Sequence, residues 1–252
     1  MKLIALNLLL RINVNGSEWL ASLPEKSGPE RDQKILEAVS SGLAYCNWLP
    51  ITSQISGHQA TFYVCDDAVR VDLEDGSRFR MQVHATLSQK CADIMEASLV
   101  TAKINDLTYK QAQVVLNATI LLPVSMTTTS KSKKYNELLE KKRGGQTGLI
   151  RDCGKAWIVS NSLGKSANVA VNYGFYDPKA LYKNPVGIRL WQNVGTRHDR
   201  YHTDYSQTLI LMDKKCEVDG QKMNVIDVMK SPELCELLSY EGVLKFTRQP
   251  GA

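Results

Sequence analysis

No stretch of this chain approaches the ~18 consecutive apolar residues that a membrane-spanning helix requires, and the sequence offers no such segment anywhere. Histidine is scarce, at four residues in 252. Cysteine appears six times, at 46, 65, 91, 153, 216 and 235, without a C-x-x-C pair and without zinc-finger spacing to a histidine. A chain of this length builds a core without disulfide staples, so the expectation is free thiols and synthesis in the cytoplasm. The G-x-S-x-G elbow of esterases and lipases is missing. Gly148 to Ala156 has the look of a phosphate loop, but it puts five residues between its glycines where four are needed. It also has Ala156 where a magnesium-binding hydroxyl should stand. Internal repeats are absent, as is a regular β-α-β beat.

Positive charge is present but localised. The net charge is +5, and Lys131 to Arg143 alone carries a net +4. A protein that coats nucleic acid needs a broader basic face, so nucleic acid is not the expected partner and a solvated helix face accounts for the cluster.

What the chain does contain is an ordinary globular balance, 43% hydrophobic and 23% charged. Strand-like and helix-like stretches mix irregularly, which predicts an α+β fold with a mixed, largely antiparallel sheet and several packed helices. We read residues 1–252 as a single domain, with any internal hinge in the polar stretch 124–148. The run 3–14 reads as a first strand. It also has the look of a minimal signal peptide, but Asn7 breaks it, Arg11 follows and no small-residue cleavage site appears. Asn15-Gly16 reads as a turn, Pro29 as a helix start, and Asp75-Gly76 as a turn between strands. Thr86 and Asn105 read as helix caps. A basic helix over 135–143 closes on Gly144-Gly145. Asp219-Gly220 reads as a hairpin turn, Ser231-Pro232 opens a last helix, and 244–247 reads as a closing strand.

The densest chemistry lies in Trp191 to Ser206, W-Q-N-V-G-T-R-H-D-R-Y-H-T-D-Y-S. Half of the histidines, His198 and His202, fall there among Asp199, Asp204, Tyr201, Tyr205, Ser206, Arg197 and Arg200. We read it as a loop delivered onto a buried strand, which is a common way to hold functional groups on a rigid frame. His198, His202 and Asp204 (H-x-x-x-H-x-D) are a candidate zinc set that would leave a position for water. A polar cluster without metal is the competing reading. Ser206 with His198 and Asp204 supplies the residue types of a nucleophilic triad. Cys153 beside Gly154-Lys155 is a candidate activated thiol, with a turn as its bland alternative. Lys103 and Asp106 flank a helix start, where capping and a surface ion pair explain them. Tyr173 to Tyr176 reads as packing, or as the aromatic wall of a groove.

One likeness emerges from these residues. T-A-K-I-N-D-L-T-Y (101–109), G-K-A-W-I-V-S-N (154–161), N-Y-G (172–174), W-Q (191–192), His198, D-Y-S (204–206) and L-L-S-Y-E-G (237–242) together resemble a family of uncharacterised bacterial and phage proteins, some joined to peptidoglycan-binding modules. The likeness spans roughly residues 30 to 248 through short motifs. The family's pattern has histidine where Cys153 stands, an acid where Ala156 stands and histidine where Gln207 stands, and His202 lies outside it. His198, Asp204, Tyr205, Ser206, Lys155 and Lys103 do match and are the candidate catalytic residues. The resemblance implies a cell-wall-directed hydrolase acting on a peptide or glycan bond of peptidoglycan. In it His198 serves as general base or ligand, Asp204 orients it, and Tyr205 or Lys155 stabilises negative charge. The cell-wall polymer is the expected partner, reached by export or, in a phage, by release through a holin. The rival is a non-enzymatic phage or bacterial structural protein that uses the same polar loop for recognition.

Overall fold

The computed structural model of the protein describes residues 14–252, so the strand expected over 3–14 lies, but for Val14, outside the described residues. The chain enters on α1 (Gly16–Ala21). Asn15 caps it: its side chain accepts from Glu18 N at 2.8 Å, and its own N–H donates to the Glu18 carboxylate at 3.2 Å. Asn15-Gly16 is therefore a capping box rather than the turn its dipeptide suggests. Helix α2 (Pro29–Ser40) begins on proline and buries Ile35 and Val39. Strands β1 (Trp48–Ile55) and β2 (His58–Cys65) form a full-length antiparallel hairpin. Pro50 hides β1 in the sequence. It is tolerated because β1 is an edge strand, where a missing N–H breaks no ladder bond. Strands β3 (Arg70–Asp72) and β4 (Arg78–Arg80) pair across the Asp75-Gly76 turn.

Two helix starts differ from the sequence expectation. Helix α3 (Ala85–Ile94) is capped by His84, whose Nδ1 accepts from Leu87 N at 3.1 Å, not by Thr86. After β5 (Ala97–Leu99), helix α4 (Ala102–Gln111) is capped by Thr101, which leaves Asn105 buried inside the helix. Strand β6 (Val114–Val115) precedes α5 (Thr129–Arg143), which ends on Gly144 in the left-handed region. The segment read as a hinge, 124–148, is mostly this helix. It is held to the body by buried Tyr135, Asn136 and Leu139, and by Glu140, which accepts from Arg80 at 2.8 Å.

Then come β7 (Ile150–Arg151), β8 (Lys155–Trp157), β9 (Asn172–Tyr176), β10 (Tyr182–Lys183) and β11 (Arg189–Gly195). The chain continues through β12 (Gln207–Thr208), β13 (Leu211–Val218) and β14 (Gln221–Asn224) to α6 (Val225–Lys230). The β13–β14 hairpin turns on Asp219-Gly220, both at positive φ, the combination that this tight turn demands. The last helix falls before Ser231-Pro232 rather than after it, because Asn224 caps α6. No strand forms over 244–247; Leu244 is buried there in irregular chain.

The fold is α+β. One sheet runs β1-β2-β13-β14, with β5 also on β13, and is antiparallel throughout. The other runs β10-β11-β9-β8-β12 and is antiparallel except for the β8/β12 pair. Only buried Leu209 and Ile210 separate β12 from β13, so the chain passes directly from one sheet to the other. One hydrophobic cluster includes Phe62, Val64, Leu99 and Met212 of the first sheet and Tyr173, Tyr176 and Leu190 of the second.

All six cysteines are free and buried. Burial raises the pKa of Cys91 to about 12 and that of Cys216 to about 11, so neither forms thiolate at neutral pH. A chromogenic thiol reagent at pH 8 is expected to react with none of these sulfurs rapidly in the native protein, and with all six once denaturant is added. A fast native stoichiometry of one or more would contradict this burial.

Candidate functional site

The second sheet positions the site. Strand β11 takes up Trp191 to Gly195, so only the later part of the polar stretch, 196–206, is loop. The chain fixes that loop at intervals. His198 O accepts from Ala170 N at 3.2 Å, Arg200 N donates to Asn168 O at 2.9 Å, and Arg200 O accepts from Thr86 N at 3.1 Å. Strand β12 then lies parallel to β8, with Gln207 opposite Lys155. This pairing brings the two distant segments together. Gly154, just before β8, makes their approach feasible: a Cβ there would stand 2.5 Å from Ser206 O.

Asp204 is the hub. It is buried, and its Oδ2 accepts from Lys155 Nζ at 2.9 Å. Its Oδ1 accepts from Ser206 N at 2.7 Å and from Ser206 Oγ at 2.6 Å. Its own N–H donates to Gln207 Oε1 at 2.8 Å. Burial acts to raise the carboxyl pKa, but His202, Lys155 and Ser206 outweigh burial and hold it well below the ordinary range. His202 Nε2 is 3.9 Å from Oδ2, beyond hydrogen-bond reach, so Lys155 and Ser206 are the closer partners.

The two histidines lie face to face, with ring centroids 4.0 Å apart and planes within 5°. Trp157, at the end of β8 and itself buried, presents its ring to His198 at 6.5 Å in a T-shaped contact, and its Nε1 donates to Val83 O at 2.7 Å. His198 is partly exposed. Burial, then the neighbouring His202 and Lys155, lower its pKa, so it is a neutral imidazole at pH 7, able to accept a proton.

The structure brings together His198, His202, Asp204, Ser206 and Lys155. It separates the other two candidates from them. The Tyr205 side chain points to the opposite side of the chain from Asp204: its Oη accepts from Leu121 N at 2.8 Å, and its ring packs edge-on to Tyr135. Lys103 donates to Glu236 O and sits 5.7 Å over the Tyr240 ring, on α4. Neither has a contact in the histidine cluster.

Three chemical readings of the sequence change accordingly. Ser206 is buried and its hydroxyl serves Asp204, not a histidine, so the triad arrangement is absent. Cys153 is buried, and burial pushes its thiol pKa far up, opposite to an activated nucleophile. Parallel stacking sets the in-plane lone pairs of His198 and His202 side by side instead of converging. A shared zinc would require one ring to turn, and no group of three His, Cys, Asp or Glu is placed to hold a metal among the described residues.

No protein-family model, curated protein or solved structure matches the chain.

Sequence reasoning missed two supports. Trp157 is the floor under His198, and Gln207 braces the Asp204 backbone. The inward phase of a strand holding Trp157 was the available signal for the first. Asp106 is not a surface cap: it is fully buried and accepts from Tyr173 Oη at 3.1 Å and Tyr176 Oη at 2.7 Å, which makes those tyrosines core rather than groove wall.

Proposed function

We propose that the protein is a cell-wall-directed hydrolase that cuts a peptide or glycan bond of peptidoglycan at the His198–His202 cluster. The observation that carries the reading is His198 itself. It is a partly exposed imidazole, kept neutral by burial and by two adjacent nitrogen bases, on a rigid Trp157 floor. Such a group accepts a proton from water or a substrate hydroxyl at neutral pH. Lys155, largely buried and tied to ionised Asp204, places a positive charge beside it, where an oxyanion would develop. Asp204 thus acts by holding Lys155 and the loop, rather than by bonding to His198. The substrate class comes from the family resemblance and its peptidoglycan-binding modules. Synthesis in the cytoplasm followed by export or phage-mediated release is part of the same reading.

The direct test is incubation of the full chain with purified peptidoglycan. Soluble fragments are expected, with new reducing ends if the glycan is cut or new amines if the peptide is cut. Absence of both over a pH series, with and without added zinc, would remove the hydrolase reading.

A second reading has its own support. Asp204, Ser206 and Lys155 satisfy one another internally, and such closed networks brace recognition loops as well as catalytic ones. In a binding or structural protein, exposed Tyr201 and the histidine stack would form the contact face.

A further inference from the structure

Away from the histidine cluster, the chain places three large aliphatic side chains in water within five residues. Ile120, Leu122 and Val124 are 60%, 78% and 64% exposed, alternating along an extended segment. Contiguous aliphatic exposure of this kind marks a contact surface more often than scattered single residues do. The segment is fixed in place. Leu121 N donates to Tyr205 Oη at 2.8 Å from beneath, so the alternate side chains on either side are turned outward. Lys131 Nζ donates to Leu122 O at 2.8 Å, and Lys142 Nζ donates to Asn117 O at 3.0 Å. Those two bonds lay the segment along α5.

The face of α5 beside this ridge is basic. At 3.6 residues per turn, Lys131, Lys134, Lys141 and Lys142 fall, with Leu138, within an arc of about 100°. Most of the net charge of the chain lies on this helix. An aliphatic ridge flanked by a lysine stripe combines the two signals that hold a peripheral protein on an anionic bilayer: insertion of apolar side chains at the acyl boundary and attraction to headgroups. A second copy of the chain fits poorly, because a symmetric contact would oppose two lysine stripes. A nucleic acid would use the lysines but not the ridge.

We infer that the protein docks on an anionic lipid surface through Ile120, Leu122 and Val124, with the α5 lysines against the headgroups. Tyr205, which the sequence suggested as catalytic, then serves as the strut beneath the ridge. Because it adjoins Asp204, it ties the docking surface to the histidine cluster.

The test is co-sedimentation of the full chain with vesicles of phosphatidylcholine alone and of equal parts phosphatidylcholine and phosphatidylglycerol. Binding is expected to the second only, weakening as salt rises. Ile120→Asn, Leu122→Asn and Val124→Asn combined are expected to weaken it by about tenfold or more with an unchanged melting temperature, since these side chains leave water only on docking. Lys134→Gln with Lys141→Gln is expected to flatten the salt dependence. A single Leu122→Trp variant gives a readout that does not depend on the triple variant folding. Its emission is expected to shift to the blue with anionic vesicles. No sedimentation with anionic vesicles, or no blue shift, would overturn the proposal. So would triple-variant binding equal to wild type. A wild-type dimer that the triple variant dissolves, without vesicle binding, would assign the ridge to a second copy. Salt-sensitive binding to duplex DNA without vesicle binding would assign the lysines to nucleic acid.

Discussion

Asp67→Ala is expected to destabilise the protein by about 3–5 kcal/mol, the usual consequence of leaving a buried charge without its partner. Asp67 and Arg80 are both fully buried. The guanidinium binds the carboxylate through two hydrogen bonds, Nε at 2.7 Å and Nη2 at 2.6 Å, while its third arm reaches Glu140 on α5. Removing Asp67 therefore strands a cation in the core and loosens the helix that carries the lysine stripe. Burial pushes the Asp67 carboxyl up, but Arg80 outweighs it and holds the pKa at about 2 against an ordinary 3.8. A depressed carboxylate stabilises the fold above its unfolded pKa and loses that contribution as pH falls through its folded one. The wild-type advantage over Asp67→Ala is thus expected in full at pH 7 and to shrink between about pH 4 and pH 2. Chemical denaturation at pH 7 and near pH 3 measures both parts. A pH 7 difference under ~1 kcal/mol, the scale of an exposed pair, would contradict the buried geometry.

Asp204→Ala is expected to cost a similar ~3–5 kcal/mol for the same reason. Lys155 Nζ, Ser206 N and Ser206 Oγ all lose their acceptor at once inside a nearly closed site. The depressed Asp204 pKa has the same sign as that of Asp67: its stabilisation is present above the ordinary carboxylate range and fades as pH falls. A melting temperature within a degree or two of wild type, for a domain of this size, would contradict it. This has a practical consequence for function. Loss of activity in Asp204→Ala reports on folding as much as on chemistry, so His198 is the cleaner probe. His198 is partly exposed and its ring makes stacking contacts alone, which limits the structural cost of removing it.

The fold class was legible in the sequence because glycine turns and proline starts are local signals. The Asp75-Gly76 and Asp219-Gly220 turns and the Pro29 helix start need nothing from the rest of the chain. Caps were less legible. Asn105 and Thr101 both carry capping side chains, and only burial of the α4 face decides that Thr101 opens the helix. Within the site, local alternation did hold information. Asp204 and Ser206 share one side of the chain and Tyr205 takes the other, as successive side chains of an extended segment do. The pairing of Lys155 with Asp204 was not legible, because it depends on the parallel contact of β8 with β12 across some fifty residues.

The central claim is that His198 performs chemistry on cell-wall polymer. A renaturing gel cast with purified peptidoglycan, run with wild type and His198→Ala alongside thermal melts of both, tests it most directly. The account predicts a cleared band for wild type and none for the variant, at melting temperatures that agree closely. Equal clearing by the two proteins would contradict the role of His198, and no clearing by wild type would contradict the hydrolase itself.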